Sequence, residues 1–189
     1  VTQSGSTIKL AVQKVGSDWH GGLINTLDKF SIRYGYFEIR CKVPRGAGMF
    51  VAPLWMMPQN PVYGGWPLSG EIDILEYIGT DQEFTNGYST LHWRDFGTGL
   101  DDAKSVAADT PNDLSLAFHT WGCLWEKNTA GVVSFTLSLD GTPYGTITQS
   151  EWDKVPSGAL GSPFDQPFFF LINNTVGGDW AGQPVDADN

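Results

Sequence analysis

The chain has 189 residues, a formal net charge of -10, 13% aromatic residues, 23 glycines and 11 prolines. This length fits one domain spanning residues 1–189, able to bury about two-thirds of the unfolded chain's surface. The acidic balance, with eleven Lys and Arg thinly spread, excludes nucleic acid and an anionic membrane as natural partners and weighs against strongly sulfated polymers. A neutral polymer suits it better, and nothing points to an oligomer, so a monomer is expected. No apolar run approaches the ~20 residues of a membrane-spanning helix. The start, Val1-Thr2-Gln3, carries no leader pattern, so any signal peptide has been removed or never existed. Few lysines and many tryptophans lead us to expect a secreted protein.

Short alternating apolar runs, with this glycine and proline content, predict an all-β sandwich or barrel. Thr7 to Val15 reads as a strand, followed by a turn at Gly16-Ser17-Asp18 and the segment Gly21 to Thr26. Tyr34 to Val43 alternates cleanly and is stopped by Pro44. Met49 to Met57 is almost wholly apolar, as expected of a strand buried on both faces or of a cleft floor. Residues 58–70 form a loop rich in proline and glycine, placed to build the wall of a site. Gly87 to Trp93 is the next strand, and residues 94–117, including Asp101-Asp102, read as polar and irregular. His119 to Glu126 and Val132 to Leu139 are strands, closed by an Asp140-Gly141 turn. Pro167 to Val176 is a last buried strand, followed by Gly177-Gly178-Asp179-Trp180. Cys41 and Cys123 lack metal-type spacing; they are two small core residues or a disulfide, and the sequence leaves both open.

The chemistry concentrates in Gly70-Glu71-Ile72-Asp73-Ile74-Leu75-Glu76-Tyr77. Glu71 and Asp73 are two apart and share one face of a strand, whereas Glu76, five from Glu71, would point the other way. One extra residue around Ile74-Leu75, a β-bulge, restores the phase and aims all three acids into one groove. Like charges on one strand face repel, so a purely solvating role is the weaker reading. Two carboxylates flanking a groove are the equipment of a glycosidase: one attacks the sugar, the other gives and then takes a proton. A calcium loop would gather oxygen ligands on a turn rather than an alternating strand. A Ser-His-Asp hydrolase lacks its G-x-S-x-G elbow, and His20, His92 and His119 stand apart.

The octapeptide G-E-I-D-I-L-E-Y closely resembles the bulged E-x-D-x-x-E signature of glycoside hydrolase family 16. The flanks D-K-F-S-I-R-Y-G-Y-F-E-I-R, P-L-W-M-M-P, L-H-W, F-H-T-W-G-C-L-W-E, L-D-G and P-F-F-F-L-I-N-N-T-V-G-G-D-W-A-G follow in the family's order, from Asn25 to Gly182. With G-W-P upstream and V-G-G-D-W near the end, the pattern looks like the laminarinase branch of endo-β-1,3-glucanases. The resemblance implies a β-jelly-roll sandwich of two antiparallel sheets with a concave cleft. It implies a retaining mechanism with Glu71 as nucleophile, Asp73 as its assistant and Glu76 as general acid/base. It also implies substrate contacts from Trp66, Trp55, His92, Asn25, Trp180 and Asn173, with no cofactor; no metal is expected, because the closing strand that carries calcium in many relatives is missing from this sequence. His119 and Trp121 belong to the scaffold. Asn173-Asn174-Thr175 is a formal glycosylation sequon, but its apolar strand argues against modification.

Three departures from the family pattern stand out. Leu23 occupies a position where many relatives carry Arg. The chain start is short, and its end at Asn189 lacks the usual closing strand, whose absence would leave a sheet edge unpaired. A structural calcium site of many relatives draws on that strand. Beside hydrolysis of laminarin-type glucan, the same scaffold accommodates mixed-linkage glucan or galactan, transglycosylation, or a glucan-binding module without catalysis. The intact acids weigh against the last.

Overall fold

The computed structural model describes residues 1–79 and 84–184. In chain order its strands are β1 (Thr2–Ser4), β2 (Thr7–Lys9), β3 (Gln13–Val15), β4 (Asp18–His20), β5 (Gly22–Asn25), β6 (Ser31–Ile32), β7 (Gly35–Cys41) and β8 (Met49–Pro58). They continue with β9 (Glu71–Ile78), β10 (Asn86–Arg94), β11 (Asp101–Asp109), β12 (His119–Lys127), β13 (Val133–Leu139), β14 (Thr142–Thr148) and β15 (Phe168–Val176). The larger sheet runs β11-β10-β9-β8-β15-β5, with β6 also on β15, and the smaller runs β14-β13-β12-β7. All pairs are antiparallel. This is the expected jelly-roll sandwich of two sheets.

Alternation decides which side chains fill the space between the sheets. Leu54, Met56, Ile72, Ile74, Leu91 and Trp93 from the large sheet meet Cys123, Trp125, Phe135, Leu137 and Ile147 from the small one. Trp125 stacks on Phe135 and meets Phe168 edge-on, with ring centroids 5.6 Å apart in both pairs, the offset and T-shaped arrangements that aromatic quadrupoles favour. Trp121 lies fully inside a second cluster with Leu75, Tyr77 and Leu114. The cysteines join this filling as free thiols. The β7–β12 register sets Cys41 opposite His119 and Cys123 opposite Phe37, four residues apart along the ladder, so the disulfide reading falls. Burial pushes the Cys41 thiol up to about 12 and the Cys123 thiol upward as well.

Two expected elements differ. Thr7 to Val15 is not one strand: Thr7–Lys9 folds back on β1 and Gln13–Val15 pairs forward with β4. Gly5 and Gly16, at φ 58° and 65°, make the two tight turns in the left-handed region that glycine enters freely. Residues 101–109, read as irregular, are edge strand β11. Acidic and small residues hide a strand that buries chiefly Ala108, with Val106 packed on the core. The expectations about the chain's end fall on residues 185–189, outside those described.

The centre of the large sheet is irregular in two places. Between β8 and β15 the register passes from Leu171↔Trp55 to Asn173↔Ala52, so β8 carries an extra residue around Pro53. Proline, lacking an N–H, is tolerated inside a sheet at such a bulge. Between β9 and β10 it passes from Thr90↔Asp73 to Tyr88↔Glu76, which gives β9 one extra residue.

Candidate active site

The β9 bulge lies where the spacing of the acids calls for it. Ile72, Ile74, Leu75 and Tyr77 all enter the core, and two adjacent inward residues, Ile74 and Leu75, are possible because one of them is extra. Glu71, Asp73 and Glu76 are therefore left together on the face turned away from the small sheet. Gly70 starts the strand at φ 79°, and a Cβ there would come 2.9 Å from the Phe164 ring. This position thus needs glycine both for its backbone and for its packing.

The register carries one row of side chains across the open face, from Asn25 through Leu171, Trp55, Asp73 and Thr90 to Ser105. Asp73, at its centre, is only 4% exposed. Its carboxyl hydrogen-bonds to Glu71, and its Oδ2 lies 3.7 Å from His92 Nε2. Glu71 accepts hydrogen bonds from Asp73 and Trp66. Glu76 Oε2 accepts from Thr90 Oγ1 at 2.5 Å. Because that hydroxyl hydrogen is used, Ser105 Oγ, 2.9 Å from Thr90 Oγ1, is the donor in the second bond. His92 sits opposite Glu71 in the register, with Asp101 3.2 Å from its Nδ1.

Burial dominates the electrostatics. It raises the pKa of Asp73 well above the usual carboxylate range, and the neighbouring charges of Glu71 and Glu76 add to the effect. A carboxyl so raised favours its protonated form, the form that can donate to Glu71. Burial also raises Glu71, against the positive pull of His92 and the hydrogen bonds from Asp73 and Trp66. It raises Glu76 too, with the Thr90 hydrogen bond and His92 opposing and the Glu71 charge reinforcing. Desolvation disfavours the charged form, while donors favour it.

The aromatic residues divide between the two ends of the acid row. Trp66, 52% exposed, lies 6.2 Å from the His92 ring at the Glu71 end. Trp180, 51% exposed, packs on Phe50 at 5.7 Å and Tyr88 at 5.6 Å, and Tyr88 faces Glu76 in the register. Trp55 gives its Nε1–H to Asn173 Oδ1 at 2.5 Å, so these two side chains order each other on the floor beside Asp73. Asn25 stands apart. It lies three strands from Asp73, about 14 Å at the usual strand spacing, and its Oδ1 accepts the Leu27 N–H in a local turn. His119 is held by Asp140 at 2.8 Å, away from the acids. Thr90 and Tyr88 are site residues that the sequence reading missed, although their phase with His92 on one strand marks them. Asp101 and Phe50 carry no such mark, since each reaches the site from another strand.

Known proteins resemble this chain along nearly its whole length. Residues 1–188 match the family model described as glycosyl hydrolases family 16. The chain is similar to a glucan endo-1,3-beta-glucosidase of Cryptopygus antarcticus, 38% identical over 94% of this chain and 67% of that protein. It is also similar to a beta-1,3-glucan-binding protein of Penaeus monodon, 39% identical over 82% of this chain and 46% of that protein. Among solved structures, the catalytic domain of an endo-1,3-beta-glucanase (laminarinase) from Thermotoga petrophila RKU-1 superposes with a TM-score of 0.73 at 32% identity, covering 93% of this chain and 67% of that one. The chain thus spans between about half and two-thirds of the length of these relatives. With both sequence and fold matching, the chain belongs to glycosyl hydrolases family 16.

Proposed function

We propose that this chain hydrolyses internal β-1,3-glucosidic bonds of laminarin-type glucans, with retention of configuration. The observation that carries the reading is the bulge that sets Glu71, Asp73 and Glu76 on one open sheet face. A Glu71 carboxylate oxygen attacks the anomeric carbon while Glu76 gives its proton to the departing glycosidic oxygen. Glu76 then takes a proton from water, whose oxygen attacks the same carbon and releases Glu71. Asp73 holds its proton and shares it with Glu71 by hydrogen bond, steadying the carboxylate before attack. Trp66 and Trp180 offer flat apolar faces for sugar rings at opposite ends of the acid row. The net charge of -10 suits a neutral polymer, and the similarity to a glucan endo-1,3-beta-glucosidase supports the linkage.

The test is reducing-sugar release from laminarin beside mixed-linkage glucan and agarose, with Glu71→Gln as control and the anomeric form of the first product followed by proton NMR. Laminarin cleavage giving the β-anomer, absent in the control, supports the reading. An initial α-anomer overturns retention, and cleavage that survives in the control overturns Glu71 as nucleophile. A second reading, a glucan-binding module without turnover, draws on the similarity to a beta-1,3-glucan-binding protein. Saturable laminarin binding with no release from any polymer would favour it.

A further inference from the structure

The β9 bulge must be held at one residue, because a slip by one would turn Glu76 into the core. Ile74 is the residue without a register partner on either neighbouring strand. Its carbonyl accepts a hydrogen bond from Ser89 Oγ at 2.5 Å, and Ser89 is the β10 residue skipped by the same irregularity. Ser89 is 1% exposed and, lying between Tyr88 and Thr90, points toward the small sheet. There its Oγ lies 2.5 Å from Tyr144 Oη. Since the Ser89 hydrogen is committed to Ile74, Tyr144 is the donor.

Tyr144 is itself the extra residue of a bulge in β14, where the register passes from Leu137↔Gly145 to Ser138↔Pro143. Two bulges in opposite sheets are thus joined through a single serine. Burial raises the Tyr144 phenol above its ordinary pKa, so it remains a donor. Gly87 completes the lock: a Cβ there would overlap the Trp121 ring and the Leu75 methyl, so Leu75 keeps its inward place only beside glycine.

We infer that Ser89 and Tyr144 are positioning residues for Glu76, their hydrogen-bond tie fixing the bulge at Ile74 and so the phase in which Glu76 reaches the cleft. Glu71 and Asp73 precede the bulge and are set by ordinary pairing with His92 and Thr90. Loosening the tie therefore disturbs proton transfer and spares nucleophilic attack. The inference rests on the reading of Glu76 as general acid/base.

The experiment compares Tyr144→Phe, Ser89→Ala and Glu76→Ala on laminarin and on dinitrophenyl β-laminaribioside, whose leaving group departs without protonation. Each variant is assayed below its own unfolding midpoint. For Tyr144→Phe and Ser89→Ala we expect kcat on laminarin to fall about tenfold or more, equivalent to about 1.4 kcal/mol of barrier, with KM changed less than twofold. The first turnover on the dinitrophenyl substrate stays near the wild-type rate, and azide restores the steady state. Equal losses on both substrates, or none on either, would overturn the inference if Glu76→Ala still shows the leaving-group split. A Glu76→Ala variant without that split overturns the acid/base reading, and the inference with it. Tyr144→Phe removes one hydroxyl and leaves Ser89 in place, so it carries the test if Ser89→Ala does not fold.

Discussion

The two glutamates of β9 are the same residue type on the same strand, five positions apart, and both are lifted by burial, yet their surroundings differ. Glu71 sits beside more donors: Asp73 and Trp66 give it hydrogen bonds, and His92 faces it from β10. Glu76 has one hydrogen-bond donor, Thr90, with His92 also opposing its rise and the Glu71 charge adding to it. The added donors favour the ionised form of Glu71 more than that of Glu76, in keeping with the proposed nucleophile and acid/base roles. A single strand thus gives its two glutamates different neighbourhoods through the strands beside it.

The sharpest break of this comparison is to remove each glutamate in turn. Glu71→Gln is expected to lower kcat on the order of 10⁴-fold or more while oligosaccharide binding persists, as isothermal titration would show. Glu76→Ala is expected to lower glucan turnover about 10²- to 10⁴-fold and to yield a β-glycosyl azide from an aryl glycoside. A retained β-glycosyl azide from a Glu71→Ala variant, with an inverted α-azide from Glu76→Ala, would exchange the two roles.

A smaller effect tests the His92 contact with the acids. Asp101 lies 3.2 Å from His92 Nδ1, and Asp101→Asn removes a hydrogen bond to a charged group, a loss of about 1.5 kcal/mol. We expect kcat/KM on laminarin to drop about tenfold, with the His92→Ala background making the second change nearly silent. Additive losses in the double variant would show that Asp101 acts without His92.

Smaller again are the aromatic platforms. Trp66→Ala and Trp180→Ala are each expected to raise KM about three- to tenfold, the range of one stacking contact, with kcat within about twofold. They should shift the product pattern in opposite senses, because the rings flank opposite ends of the acid row. Identical product patterns would count against placing one platform on each side of the cleaved bond.

The last prediction concerns stability. A carboxyl whose folded pKa is raised contributes a penalty that is absent below the unfolded value, near 3.9. The penalty grows as pH rises through that value and is complete above the folded pKa. Asp73, buried and raised well above its ordinary range, carries such a penalty at neutral pH. Asp73→Asn, which still offers a donor to Glu71, should therefore raise Tm by about 2–4 °C for each kcal/mol recovered, and the gain should vanish toward about pH 3. Calorimetry across pH would read it, and a lower Tm at neutral pH would contradict it.

Particular residues show how far the sequence could be read. The spacing of Glu71, Asp73 and Glu76 within an apolar alternation demanded a bulge, because a period of two cannot place all three acids on one face. Short alternating runs with turn signals gave the sandwich class, and the ordered motifs gave the family. Phase on β10 also contained Thr90 and Tyr88, had the alternation been followed back from His92. By contrast, β11 was hidden because an edge strand with one partly buried face needs little apolar sequence. Asn25, plausible by motif, also holds its own turn through Oδ1, a contact that the motif did not announce.

What the sequence by itself determined, then, is the local pattern: which residues alternate, where glycine must turn, and that one residue of β9 is surplus. Only the tertiary structure decided which residue is surplus and what holds it, because a bulge is chosen by partners on other strands. Ser89 and Tyr144 lie 15 and 70 positions from Ile74 in the chain, and no local period relates them to it. Asp101 reaches His92 from a neighbouring strand, and Trp180 meets Tyr88 across the open face. Such contacts depend on sheet order and register, which pairing between distant strands sets.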